Sequence, residues 1–275
     1  MTDEKICQVI EALPFLLPEL PGRVEHLKIA GIRGWVTPLS DSQANGVGLA
    51  TFTVDQVERA IPQVRDFFTD QNKGFRWIVG PSSTPINLGK RLATIGMSKT
   101  TEMAGMVLTD ISVPIPINPA IEIREISANQ IGLVSNLMAQ AYGEDLSPEL
   151  AKIFNEVFLL GQGNIKARAY LAYLTENDIP VAFGYSLYVP QQPIVALRLA
   201  ATLKAYRGQG IYRSLIARRL ADAHADGAKV AIMQAVRNTS APICAKLGFR
   251  ELCNLDVYEW HPQNTFQKDK NPCIK

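Results

Sequence analysis

Residues 206–212 read Tyr-Arg-Gly-Gln-Gly-Ile-Tyr, and the two glycines one residue apart are the feature of this chain best suited to chemistry. Glycine tolerates left-handed backbone, so Gly208 and Gly210 allow successive main-chain N–H groups to turn toward one point. The stretch behind them carries Ile211, Leu215, Ile216 and Leu220 at helical spacing, which predicts a helix to about Asp226, stopped by Gly227. A helix start offers N–H groups without intrahelical partners and the positive end of the helix dipole. Arg207, Gly208, Gln209, Gly210, Ile211 and Tyr212 are therefore a candidate cradle for a diphosphate, held mainly by backbone donors, with Arg207 able to add a charge-assisted contact. A plain tight turn leading into a helix has the same residues, and Gly-x-Gly alone does not separate the two.

Other chemistry is sparse. Cys7, Cys244, Cys253 and Cys273 form no C-x-x-C pair, and His26, His224 and His261 lie far apart, so no metal-ligand spacing appears and no metal is expected. Twenty-eight Lys and Arg against 26 Asp and Glu leave a net charge of +2, which gives no argument for a nucleic-acid or membrane partner. The N-terminus is polar and acidic where a signal peptide would be basic then apolar. The apolar run Ile10 to Leu20 is short and broken by Pro14 and Pro18. A reduced, cytoplasmic protein is expected.

The elements that must position the loop fall in two regions. Ile111 to Ala120 holds three prolines in ten residues and reads as a linker. Before it, Val47–Thr53 (strand), Val54–Phe68 (helix, with Pro62 inside), Phe75–Val79 (strand), Asn87–Ile95 (helix) and Met103–Leu108 (strand) give the order β-α-β-α-β. Glu4 to Leu13 adds a helix. After the linker, Ile121–Ile126 is a strand, and Ser127 with Gln130 resembles a capping box for the next helix. A second helix starts at Ser147-Pro148. Arg168–Leu174 and Val181–Val189 form a hairpin, Ile194–Thr202 a third strand, then the glycine loop and its helix. Lys229–Ala235 is a strand, Ala241–Leu247 a short helix, and the last strand ends near Tyr258. This is a mixed α/β chain.

From Ala200 to Phe249 the sequence resembles the GNAT acyl-CoA N-acyltransferase superfamily. Arg207-Gly-Gln-Gly-Ile-Tyr212 with its preceding strand is similar to that superfamily's pyrophosphate motif, Met233-Gln-Ala235 to its fifth strand, and Ala241 to Phe249 to its later helix and Leu-Gly-Phe turn. The resemblance extends more weakly over 121–262. It implies a mostly antiparallel sheet flanked by helices, acetyl-CoA or another acyl-CoA as co-substrate, and an amine acceptor of unnamed class. It implies that the backbone of Leu199, Ala200, Ala201 and Thr202 pairs with the pantetheine amides. The strands 194–202 and 229–235 would then run parallel and splay apart around the thioester. Asn238 falls where the family often has a cofactor-contacting Asn. Strand edges often pair in this fold, so a homodimer is among the expectations.

Two residues depart from the pattern. Tyr212 stands where the motif usually has Gly or Ala. Cys244 stands where the helix before Leu-Gly-Phe usually carries a Tyr, the general acid for the leaving thiolate. Cys244 is a substitute acid or a small buried residue, and Tyr258 is an alternative phenol. Glu144 or Asp145 would be the base that takes the amine's proton. Arg198, on the third strand, would bind a substrate carboxylate if it faces the acceptor, or reach for water if it does not.

Leu92-Ala-Thr-Ile-Gly-Met97 echoes Cys244-Ala-Lys-Leu-Gly-Phe249, each a short helix, a glycine stop and a strand. The sequence is thus expected to divide into a degenerate GNAT-like region at 1–110, the linker 111–120, a GNAT domain at 121–262 and a polar tail at 263–275. No Arg-x-x-Gly-x-Gly precedes the helix Val54–Phe68, so the first region should not hold a diphosphate. A protein that retains acyl-CoA without turnover, and a Cys244 acyl-enzyme relay, are the competing readings.

Overall fold

A computed structural model describes residues 1–143, 146–159 and 166–262. Its strands are β1 (Glu25–His26), β2 (Arg33–Val36), β3 (Gly46–Gly48), β4 (Phe75–Val79), β5 (Ser98–Leu108), β6 (Ile121–Glu125), β7 (Lys166–Leu174), β8 (Ile179–Tyr188), β9 (Ile194–Thr202), β10 (Val230–Val236) and β11 (Arg250–Trp260). Its helices are α1 (Asp3–Ala12), α2 (Val54–Thr69), α3 (Leu88–Thr94), α4 (Ile131–Tyr142), α5 (Pro148–Leu159), α6 (Ile211–Ala225) and α7 (Ser240–Lys246). All the strands join one sheet in the order β1-β2-β3-β4-β11-β5-β10-β9-β8-β7-β6. Among the described strands only the β3/β4 and β9/β10 pairs are parallel.

The sheet order contains an exchange. β5, from the first half, lies between β10 and β11 of the second. β11, the final strand, lies between β4 and β5 of the first. Each half therefore completes its sheet with a strand from the other. The two halves also repeat one plan: a parallel pair joined by a helix (β3-α2-β4; β9-α6-β10), then a short helix and a strand (α3-β5; α7-β11).

Alternation along the strands sets the layers. Ile194 and Ala196 of β9, Ile232 of β10 and Val107 of β5 belong to a core shared with α1, α4 and α5. Val195, Leu197, Ala231 and Met233 point the other way, into a core with α6 and α7. Ile6 and Ile10 of α1 are 2% and 0% exposed against the middle of the sheet, each worth about 1.5–3 kcal/mol of apolar burial. A third core, under α2 and α3, holds Phe68, Phe75, Trp77, Leu88, Leu92 and Tyr258.

Two local expectations are corrected. The strand expected at Val47–Thr53 stops at Gly48, because Leu49 takes a left-handed φ of 50°, and only an isolated bridge from Thr51 to Thr84 continues the pairing. The box at Ser127 forms by half. Gln130 Oε1 accepts from the Ser127 N–H at 3.2 Å, but a 3₁₀ turn at Ala128–Gln130 intervenes and α4 begins at Ile131. A complete capping box, missed in the sequence, starts α2: Thr53 Oγ1 accepts from Gln56 N–H and Gln56 Oε1 from Thr53 N–H. No helix of the described residues is long and apolar enough to cross a membrane.

Candidate functional site

β9 and β10 hold the site open between them. They pair at Val230–Ile194, Ala231–Val195 and Ile232–Ala196, and the ladder ends there. Beyond it β9 keeps β8 on its outer side and β10 keeps β5. The facing edges of residues 197–202 and 233–236 thus run on without each other, giving the splayed parallel pair expected from the sequence. A bulge sharpens the opening. Phe183 faces Ala201 and Tyr185 faces Arg198, so β9 has one residue more than β8 across this step, and Leu199 takes a φ of 38°. Arg219 of α6, 1% exposed, fixes the bulge by donating to the carbonyls of Tyr185 (3.0 Å) and Arg198 (3.4 Å). Gly184 makes room, since a Cβ there would lie 2.9 Å from the guanidinium.

The chain leaves β9 through a 3₁₀ turn at Lys204–Tyr206 and enters the glycine loop. Gly208 and Gly210 take φ of 83° and 76°, conformations that L side chains rarely adopt. Nothing lies within 4 Å of a Cβ built on either, so the space before the loop is open. Gly210 is the N-cap of α6 and gives no side-chain cap. The first bond of the helix runs from Ser214 N–H to Gly210 carbonyl at 3.0 Å. Among the described residues no acceptor engages the N–H groups of Gly208, Gln209, Gly210, Ile211, Tyr212 or Arg213. The equivalent helix of the first half, α2, has its first turn closed by the Thr53–Gln56 box. The contrast is one of degree: the box at α2 meets two of the donors at its start, while α6 has no side-chain cap.

Asn118, in the proline-rich segment, braces the loop. Its N–H donates to Ser214 Oγ (3.0 Å) and its Nδ2 to the Gln209 carbonyl (3.2 Å). Sequence reasoning missed this residue, whose only signal was a polar side chain amid prolines. Arg213, exposed in the first turn of α6, was missed as well. Arg207 corrects its expectation in part: its guanidinium is turned onto main-chain carbonyls, Nε to Thr202 at 3.1 Å and Nη2 to Ala141 at 3.4 Å, and so secures the loop. Thr202 is buried, and its Oγ1 has no partner among the described residues.

The expected acids are placed as follows. Cys244 is fully buried in the α6/α7 core, and burial pushes its thiol up from the usual range. Tyr212 reaches over it, with Oη 3.8 Å from Cys244 Sγ. Burial likewise raises the Tyr212 phenol. Tyr258 lies elsewhere, in the core of the first half, with its hydroxyl against Gly89 of α3. Exchange of β11 carries it there, away from Cys244. Asn238 is exposed in the turn between β10 and α7. Glu144 and Asp145 lie outside the described residues.

Arg198 and Gln234 meet across the opening, Nη1 to Oε1 at 2.9 Å, on the face shared with α1, α4 and α5. Gln234 is held in turn by the Ile10 carbonyl at 2.7 Å. No cluster of three metal-ligating side chains occurs among the described residues.

No protein-family model matches the chain, and no curated protein matches it in sequence. Solved structures do match in shape. A GCN5-related N-acetyltransferase from Kribbella flavida aligns at a TM-score of 0.67 with 14% identity, over 94% of this chain and 95% of that one.

The chain has the fold of the GCN5-related N-acetyltransferases.

Its doubled form is also matched. A tandem GNAT protein from the clavulanic acid biosynthesis pathway, solved without AcCoA, aligns at 0.59 with 10% identity over 95% of each chain. A GCN5-related N-acetyltransferase from Sphaerobacter thermophilus aligns at 0.62 with 13% identity, over 84% of this chain and 77% of that one. In the terms of the GNAT fold, the open β9/β10 pair and the glycine loop are both in the second half.

Proposed function

We propose that the chain is an acetyl-CoA-dependent N-acetyltransferase acting on a primary amine. The observation that supports this is the parallel β9/β10 pair opening after Ala196 and Ile232, directly before a helix start whose N–H groups from Gly208 to Arg213 have no acceptor among the described residues. A diphosphate fits those donors, and the open space before Gly208 and Gly210 admits it. The free edge at Leu199, Ala200 and Ala201 is suited to the pantetheine amides. Asn238, in the turn after β10, is the cofactor-contacting Asn of this reading.

In this reading the amine nitrogen attacks the thioester carbonyl carbon, the carbon–sulfur bond breaks, and the sulfur leaves with a proton. Tyr212 is the phenol placed to give that proton, in the position that Cys244 leaves short of a hydroxyl. Burial raises its pKa and so keeps it protonated through neutral pH. The attacking nitrogen loses its own proton to a carboxylate or water on the acceptor side, the role expected of Glu144.

A protein that binds acyl-CoA without turnover is the second reading. Cys244 in place of the usual Tyr favours it. One experiment separates them: titrate acetyl-CoA by thermal shift, then assay CoA release over a panel of amines. A shift with turnover supports the transferase, a shift without turnover on any amine supports the binding protein, and no shift defeats both.

A further inference from the structure

We infer that Arg198 is the anchor for a carboxylate on the substrate, carried either by the acceptor amine or by the far end of the acyl group. The inference rests on the transferase reading for its setting, since Arg198 lines the opening between β9 and β10, but its evidence is separate.

Most arginines of this chain have an acid partner. Arg23, Arg76, Arg91, Arg124, Arg168, Arg218, Arg237 and Arg250 each lie within 4.0 Å of a carboxylate. Two of those without one, among the described residues, face inward from the sheet and its helix: Arg219, which is buried, and Arg198, which is half-buried. Arg219 is satisfied by carbonyls: Leu215 at 3.3 Å, Tyr185 at 3.0 Å and Arg198 at 3.4 Å. Arg198 has one hydrogen bond, to a neutral amide oxygen, from a head that carries five N–H donors. A half-buried cation with most of its donors unmet by the protein leaves them to water or to an anion that enters the opening. Burial holds the guanidinium down at about 10, with the phenol of Tyr142 the next influence, so it is still charged at neutral pH.

The surroundings set its direction. Arg198 continues the side of β9 that carries Ile194 and Ala196, opposite Leu197 and the α6/α7 face. It therefore faces the side away from Cys244 and Tyr212. Gln234, pinned to Ile10 of α1, holds Nη1 and leaves Nε and Nη2 for a planar, two-oxygen anion. A carboxylate there supplies the missing charge and meets the unused donors in one step. Arg219 holds the carbonyl of the same residue, so the bulge that turns Arg198 into the opening is built from the other face of the sheet.

The test uses the full chain, native and Arg198→Gln, with acetyl-CoA affinity measured first. In the first arm, succinyl-CoA is compared with acetyl-CoA by calorimetry. In the second, free amino acids are compared with their decarboxylated amines in CoA release. In the third, succinate and succinamide are titrated into the protein without CoA. We expect a preference of at least tenfold for the carboxylate-bearing member in the first or second arm, lost in Arg198→Gln while acetyl-CoA affinity is unchanged. The arm that shows it tells acyl chain from acceptor. A preference that persists in Arg198→Gln, or none in any arm, overturns the inference. Should acetyl-CoA fail to bind, the transferase reading falls, and the succinate titration alone decides for Arg198. Arg198→Met guards against a folding artefact: its melting temperature is expected at or above native, and a marked fall shows a structural arginine instead.

Discussion

The hydroxyl of Tyr212 stands 3.8 Å from the sulfur of Cys244, although the two residues are on different helices and 32 positions apart. Both are places where the sequence departs from the GNAT pattern. A phenol is missing from α7 and an extra one appears at the start of α6. The structure brings both departures to one point, and in the proposed mechanism the second offsets the first.

Tyr212→Phe keeps the ring and removes the proton. We expect kcat for acyl transfer to fall about 10²-fold, within the range for a lost general acid, with acetyl-CoA affinity nearly unchanged. Cys244→Ala should change kcat less than about threefold. Because burial raises the phenol above its ordinary value, the protonated form persists to higher pH, and the native rate should show no alkaline fall from this group below about pH 10. Steady-state kinetics of the three proteins across pH 6–10 checks each point.

Gly210→Pro should abolish the acetyl-CoA thermal shift. Proline fixes φ near about −65° and has no N–H, whereas the native residue needs 76°. Gly210→Ala meets no steric obstacle, so its cost is the left-handed backbone alone, about 1–2 kcal/mol, seen as a lower denaturant midpoint with partial binding.

Arg219→Met should lower stability by about 1–3 kcal/mol, since the carbonyls at the bulge lose their buried donor. Urea unfolding with an unchanged m-value measures it. Acetyl-CoA should bind more weakly, because the bulge shapes the edge at Leu199 and Ala200.

Asp226 gives a pH signature unrelated to the site. Hydrogen bonds first from Lys166 and then from Tyr188 hold its carboxyl down at about 2. An unfolded Asp titrates near about 3.9. A depressed carboxylate stabilises above the unfolded value and loses that stabilisation as pH falls through the folded one. Asp226→Asn should therefore be less stable than native at pH 7, by about 1 kcal/mol or less because solvent screens the pair. The gap should close between pH 4 and about 2, which unfolding curves in that window follow.

The strand exchange makes the halves interdependent. Residues 1–110 and 111–275 made separately should each leave strand edges unpaired and fail to give dispersed amide spectra. Mixed or co-expressed, they should recover the native far-UV signature.

What the sequence settled is what short-range pattern encodes. A short, nearly continuous apolar run bounded by turn residues marks a buried strand, and the structure places β9 at Ile194–Thr202 as that run predicts. Glycine spacing demands a left-handed turn at Gly208 and Gly210 whatever surrounds it. The helix after the loop, the short helix with its glycine stop and the echo between the halves are likewise local, and were readable. Periodicity says which face a strand buries but not which edge it meets. The exchange of β5 and β11, and with it the removal of Tyr258 to the other core, needed the assembled sheet. Side-chain direction is decided the same way. By type and spacing Tyr212 and Arg207 both belong to the candidate cradle; packing turns the first toward Cys244 and the second onto the Thr202 and Ala141 carbonyls. The charge of Arg198 was in the sequence, but that it has no acid partner among the described residues is a property of the three-dimensional neighbourhood.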